Sequence, residues 1–405
     1  MRRVVVTGMG IWSCIGQDLQ TVTESLRNGR SGIIFDPKRI EYGLQSGLVG
    51  NVPRPDLKPL LPRKLRATMS EDSEYAYMAA RQAFEQAGIT DEYLQQNEVG
   101  IVFGSDYITN GKVNVVKLFK EEKDSSLLGP NALFQSETSS VSMNLSCIFH
   151  LRGINICVGA GCSSSLQAVG LATTFIRQGM QDIILVGGAN ETSVYGAAGL
   201  DGIGGISLQN NTPEQASRPY DTQRDGQVPS GGAAAVVLEE YAHAVARGAT
   251  ILAEVVGYGF ATDGAFVIDR DFKQITIAIS HALTDAGISH NDIDYVASFA
   301  SSAEYDDVAD AQALSEFFAG TNTWIGLTES LTGHEHNMVG AGKIVYSTLM
   351  MRNGFIAPSI NLNEVMPEAK NLRIATKTID QAINYAMIVA SGVGGTHCSI
   401  IMKKL

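Results

Sequence analysis

The stretch Ile154-Asn155-Ile156-Cys157-Val158-Gly159-Ala160-Gly161-Cys162-Ser163-Ser164-Ser165-Leu166-Gln167-Ala168 decides the fold. It opens as a short, mostly apolar strand and passes through a Gly-Ala-Gly turn. From there Leu166, Val169, Ala172, Phe175 and Ile176 recur at the spacing of one helix face. Strand, tight turn and helix in so few residues form an α/β building unit. The turn places Cys162 at the helix N-terminus, where the dipole and unpaired backbone N–H groups stabilise a thiolate. The same N–H groups can hold the oxyanion of an acyl-transfer intermediate, and the flanking glycines let a substrate approach the backbone. A cysteine among apolar residues is also a common small core residue, and Cys147 and Cys157 read that way. On these residues alone the two readings of Cys162 stand level.

Outward from this stretch, the chain repeats itself. Ala83-Phe84-Glu85-Gln86-Ala87-Gly88-Ile89 closes a run with helical apolar spacing, and Ala282-Leu283-Thr284-Asp285-Ala286-Gly287-Ile288 closes another. The glycine after each last turn suits a left-handed helix end. A polar linker and a strand follow each, Val99 to Phe103 and Tyr295 to Phe299. Further buried-strand candidates are Ile183 to Val186, Ala234 to Leu238, Ile251 to Val256, Ala386 to Ala390 and Cys398 to Met402. A duplicated α/β chain follows, joined near Ala246-Arg247-Gly248-Ala249, with halves 1–248 and 249–405. Lys112 to Asp124 is charged and reads as a surface helix or an insertion.

Bulk composition narrows the function. A chain of 405 residues is long enough for two packed halves. A net charge of −12 argues against a general nucleic-acid binder, which needs a basic face. The start, Met1-Arg2-Arg3-Val4-Val5-Val6-Thr7-Gly8, reads as strand and turn rather than a signal peptide. No apolar run approaches the roughly 18 residues that span a bilayer. Five cysteines without a CxxC pair suggest reduced thiols in a cytoplasmic protein, with no metal site expected.

The nucleophile segment resembles the active-site motif of β-ketoacyl-[acyl-carrier-protein] synthases, and the resemblance runs along nearly the whole chain. It includes Val4-Val5-Val6-Thr7-Gly8-Met9-Gly10, Ala216-Ser217-Arg218-Pro219-Tyr220-Asp221 and Arg224-Asp225-Gly226. It continues through Val237-Leu238-Glu239-Glu240, Thr332-Gly333-His334, Pro358-Ser359-Ile360-Asn361-Leu362 and Gly394-Gly395-Thr396. The resemblance implies a thiolase-like α/β fold, two duplicated halves in a layered α-β-α-β-α sandwich. It also implies a decarboxylative condensation in fatty acid or polyketide biosynthesis. There the cysteine takes an acyl group from an acyl carrier protein, and two histidines stabilise the enolate formed from malonyl-carrier protein. No cofactor is expected, since phosphopantetheine arrives on the carrier.

Set against that pattern, the oxyanion parts are retained: Cys162, the Val393 N–H and the glycines Gly394 and Gly395 before Thr396. His334 supplies one histidine. Phe299 stands where the other belongs, and no other histidine lies nearby in the sequence to replace it. A phenyl ring donates no hydrogen bond to an enolate. Of the pantetheine-contacting positions, Ser301 and Thr332 keep hydroxyls, whereas Ala303 does not. The Lys expected before Thr332-Gly333-His334 is Glu329, and the Glu expected after it is Lys343, which suggests an ion pair of inverted polarity. Val393 replaces a gating Phe and implies a less restricted acyl pocket.

The family is dimeric, with the strand after the active-site region pairing across the twofold axis. A homodimer is the default. A non-elongating, chain-length-factor-like partner of a second ketosynthase is the alternative, although such subunits usually lose the cysteine kept here. Carrier proteins are acidic, and Arg63-Lys64-Leu65-Arg66 falls near the family's docking patch. So short a run reads equally well as a solvated helix face. A degradative thiolase would need a second catalytic cysteine, and Cys398 lies in a strand pattern instead.

Overall fold

The computed structural model describes residues 1–264 and 271–405, with every side chain of these except that of Pro130. An 11-stranded sheet runs through the molecule. In chain order its strands are β1 (Val4–Trp12), β2 (Gly100–Gly104), β3 (Asn155–Val158), β4 (Ile183–Asn190), β5 (Gly232–Glu240) and β6 (Ala253–Thr262). They continue with β7 (Tyr295–Ala297), β8 (Trp324–Gly326), β9 (Arg373–Ile374), β10 (Tyr385–Gly392) and β11 (Thr396–Lys403).

The strand order proves the duplication. One half runs β1-β5-β4-β2-β3 and the other β6-β11-β10-β7-β8, with β9 added at its edge. In each, the first two pairings are antiparallel and the next two parallel. The halves meet where β1 pairs antiparallel with β6.

The repeated helices are α1 (Glu71–Ala87) and α4 (Phe272–Ala286). Each ends on a left-handed glycine, Gly88 at φ 68° and Gly287 at φ 67°. They lie so close to the sheet that a Cβ on Gly8 or Gly257 would meet the carbonyl oxygen of Ala83 or Ala282. The other helices that build the site are α2 (Thr109–Glu122), α3 (Ser164–Arg177), α5 (Glu304–Phe318) and α6 (Val339–Asn353). Lys112 to Asp124 thus falls largely on a helix whose face is mostly exposed. Helices α3 and α6 are packed against each other beneath the sheet; Gly340 has no side chain because Leu166 fills its place.

One expectation is corrected. The strand after the active-site helix, β4, is paired on both sides, with β2 and β5, so its backbone groups are already satisfied. The strand at this end of the sheet is β3, which precedes Cys162. No disulfide joins the five cysteines. Among the described residues no helix is long and apolar enough to cross a membrane.

Candidate active site

Cys162 leaves the end of β3 through a turn fixed by its own serines. Ser164 Oγ accepts from Ala160 N (2.8 Å), and Ser163 Oγ donates to Ala160 O (2.8 Å). Gly161 is left-handed at φ 56°. It is also where the two halves touch, since a Cβ there would lie 2.8 Å from Val393 N. The oxyanion candidate is thereby set beside the nucleophile's turn. Thr396 ties the two together, donating to Ala160 O (3.0 Å) and lying 3.0 Å from Ser163 Oγ. Gly394 and Gly395, at φ 87° and 75°, take backbone angles that other residues resist.

The sulfur of Cys162 faces His336 Nδ1 at 4.0 Å. Cys162 Sγ and ring nitrogens of His334 and His336 all lie within 4.8 Å of one another, a grouping that could also hold a metal ion. His336 is a site histidine that the sequence reading did not single out. It sits two residues beyond the recognised motif, and its backbone turns left-handed at φ 47°, which aims the ring back toward Cys162. The only signal was a second His in Thr332-Gly333-His334-Glu335-His336. Burial pushes its imidazolium down to about 4, with Arg39 adding to the effect, so at neutral pH the ring is uncharged. His334 is held by its backbone, which donates to Val228 O (2.8 Å) and accepts from Ser230 N (2.9 Å).

Beyond His336 the space lined by Arg39, Tyr107, Asn190 and Glu191 is only about 10 Å³, room for no more than a water molecule. Arg39 is 2% exposed, and its Nε and one terminal nitrogen have no hydrogen-bond partner. An alkyl chain entering here would strand a buried charge. Val393 is 53% exposed.

On its other face His334 meets Phe299 edge-on, with ring centroids 5.9 Å apart. Phe299 is wholly buried. The expected inverted ion pair is present: Lys343 Nζ lies 2.5 Å from Glu329 Oε1, both side chains 1% exposed. Lys343 also donates to Ser298 O (2.5 Å). Burial pushes the Glu329 carboxyl up, and the Lys343 ammonium pulls it back. Ser301 Oγ donates to Asp306 (2.8 Å) and Thr332 Oγ1 to Gly333 O (2.8 Å), so both hydroxyl hydrogens are used within the protein. Ala303 is buried at the start of α5. Arg63, Lys64 and Arg66 form a one-turn helix; the first two are exposed, and Arg66 Nε donates to Leu61 O (3.0 Å).

The fold and the placing of Cys162 at a strand–turn–helix junction are of the condensing-enzyme class. Residues 1–244 match the β-ketoacyl synthase N-terminal domain and residues 252–363 the β-ketoacyl synthase C-terminal domain. The chain belongs to the β-ketoacyl synthase family. It is 37% identical to 3-oxoacyl-[acyl-carrier-protein] synthase 1 of Escherichia coli K12, covering all of both chains. A β-ketoacyl synthase from Burkholderia phymatum superposes with a TM-score of 0.94 at 31% identity, again over the whole of both. The ishigamide ketosynthase/chain length factor superposes at 0.92 with 25% identity, covering all of this chain and 99% of the other.

Proposed function

We propose that this chain accepts an acyl group from acyl carrier protein on Cys162, and that alone it is a poor decarboxylative elongase. The observation that carries this is the placing of Cys162 between a neutral imidazole at 4.0 Å and the Val393 backbone nitrogen beside Gly161. His336 takes the thiol proton, the sulfur attacks the thioester carbonyl, and the oxyanion faces the N–H groups of Cys162 and Val393. The carbon–sulfur bond to pantetheine then breaks, and the departing thiolate takes up the proton.

Decarboxylation asks for two donors on the malonyl thioester oxygen. His334 gives one, Phe299 on its far face gives none, and His336 turns its Nδ1 to the Cys162 sulfur instead. Loss of one such donor costs ~10²–10³ in rate. Together with the ishigamide ketosynthase/chain length factor neighbour, this favours a second reading, a partner subunit in a cytoplasmic heterodimer with a competent ketosynthase. The open edge of β3 is the strand available for such pairing.

The test is mass spectrometry of the purified chain with acyl-carrier protein, then with malonyl-carrier protein. The expected result is an acyl adduct on Cys162, lost in Cys162→Ala, and little carbon dioxide release. A β-ketoacyl product formed at the rate of a competent synthase by this chain alone would refute the partner reading.

A further inference from the structure

A second polar constellation lies behind the oxyanion loop. His397 Nε2 is 2.6 Å from Asp263 Oδ1, and His397 Nδ1 is 2.8 Å from Ser391 Oγ. The side chains of Asp263 and His397 are 1% and 0% exposed, and Ser391 is fully buried. A carboxylate only accepts, so Nε2 carries a proton and donates to Asp263, while Nδ1 shares a hydrogen bond with the Ser391 hydroxyl. Both ring nitrogens are thereby hydrogen-bonded.

The place of this constellation gives it meaning. Ser391 and His397 are cross-strand partners on β10 and β11; beyond them come only the last pair, Gly392 and Thr396, and the tight loop of residues 393–395. Asp263 follows the end of β6 and grips the same loop by its backbone, donating from its N–H to Gly395 O (2.9 Å). Gly395 packs so tightly on Asp263 that a Cβ there would clash with the carboxylate side chain. The opposite face of the loop rests on the nucleophile's turn, where Gly392 leaves room only for Ala160 O. The loop is therefore clamped between the Asp263–His397–Ser391 chain and the turn that carries Cys162.

We propose that Asp263, His397 and Ser391 are a hydrogen-bonded brace that sets the position of the Val393 N–H, making His397 a positioning residue for the oxyanion hole. This rests on the acyl-acceptor reading of Cys162. Ser391 is fully buried, so the constellation braces rather than attacks.

The test uses two reactions of the same sulfur in the full chain. Acyl transfer from acyl-carrier protein passes through an oxyanion, whereas alkylation by iodoacetamide does not. His397→Ala and Ser391→Ala should slow acylation by about 10- to 100-fold, the scale of an ångström-sized misplacement, with alkylation nearly unchanged. Asp263→Asn, which keeps an acceptor for Nε2, should lose less than Asp263→Ala. Hydrogen exchange at the Gly392–Gly395 amides should quicken in His397→Ala. Unchanged acylation, or equal slowing of both reactions in Ser391→Ala, overturns the brace. Should the wild type itself not be acylated, the acyl-acceptor reading fails and exchange alone decides; unchanged loop exchange in both variants then overturns the brace.

Discussion

The two sides of the site are built in different ways. The side holding Cys162 and the Val393 N–H is made of backbone, glycines and short hydroxyl side chains, tied together by Ser163, Ser164 and Thr396. The side holding Phe299 and His334 is made of buried charge and aromatic rings, with Glu329 and Lys343 paired where no water reaches. Backbone geometry tolerates little change, because any Cβ added at Gly161, Gly392 or Gly395 collides with its neighbours. Side chains on the other face can be exchanged as long as charge and volume balance. The contrast shows on which side of the site residues can be exchanged while the fold persists.

The largest effect should come from breaking that balance. Glu329→Lys leaves two ammonium groups facing each other in the core, and an uncompensated buried charge costs about 3–5 kcal/mol. The double exchange Glu329→Lys with Lys343→Glu restores the pair and should recover most of the loss in chemical denaturation. Equal stability of the single and double variants would show that the pair does not govern this side. Next in size, Phe299→His returns the missing donor beside His334. Carbon dioxide release from malonyl-carrier protein should rise by ~10²-fold. No change would mean that elongation is limited elsewhere, and the contrast between the two sides would lose its catalytic meaning.

Much of this arrangement is legible in the sequence, for local reasons. The Gly-Ala-Gly turn, the periodic apolar face beginning at Leu166 and the glycines after the twin helices are set by nearest neighbours along the chain. So is the duplication, although the identical strand order of the two halves emerges only from the long-range pairings. The Glu329–Lys343 pair is readable because two opposite departures from one pattern imply compensation. His336 is not readable in this way. A left-handed φ at a non-glycine residue, imposed by tertiary packing, redirects its ring, and spacing along the chain carries no sign of that. The Asp263–His397–Ser391 chain escapes for the same reason, its first member lying far from the other two in sequence. The edge strand was misplaced because pairing on both sides of β4 is a property of the whole sheet.

A third, smaller effect tests how dry the charged side is. Burial pushes the Glu335 carboxyl up to about 8, although Tyr346 donates to it at 2.7 Å. The folded state then holds a proton that the unfolded chain has released above the ordinary glutamate range near 4.5. The sign follows: stability falls as pH rises between these values, and it levels off above 8. His336, whose pKa is lowered, acts oppositely below about 6.5, so the clean window is 6.5 to 8. Glu335→Gln should flatten the decline there without abolishing it, because Asp307, likewise pushed up to about 8 by burial, contributes with the same sign. Parallel curves for variant and wild type would place Glu335 in contact with water.

The smallest effect lies outside the site, on the one-turn helix Arg63–Arg66. Arg63 and Lys64 are exposed at the start of a one-turn helix in a chain of net charge −12. A local basic spot on an acidic protein attracts an acidic partner mainly over the Debye length of ~8 Å at physiological salt. Exposed ion pairs contribute about 0.2–1 kcal/mol each. Reversing both charges with Glu should therefore weaken acyl-carrier protein binding by about 10-fold at low salt, and much less at 0.5 M salt. The folded stability should stay where it was, since neither side chain is buried. Binding that is unchanged at every salt concentration would remove these residues from carrier docking and return them to the role of a solvated helix face.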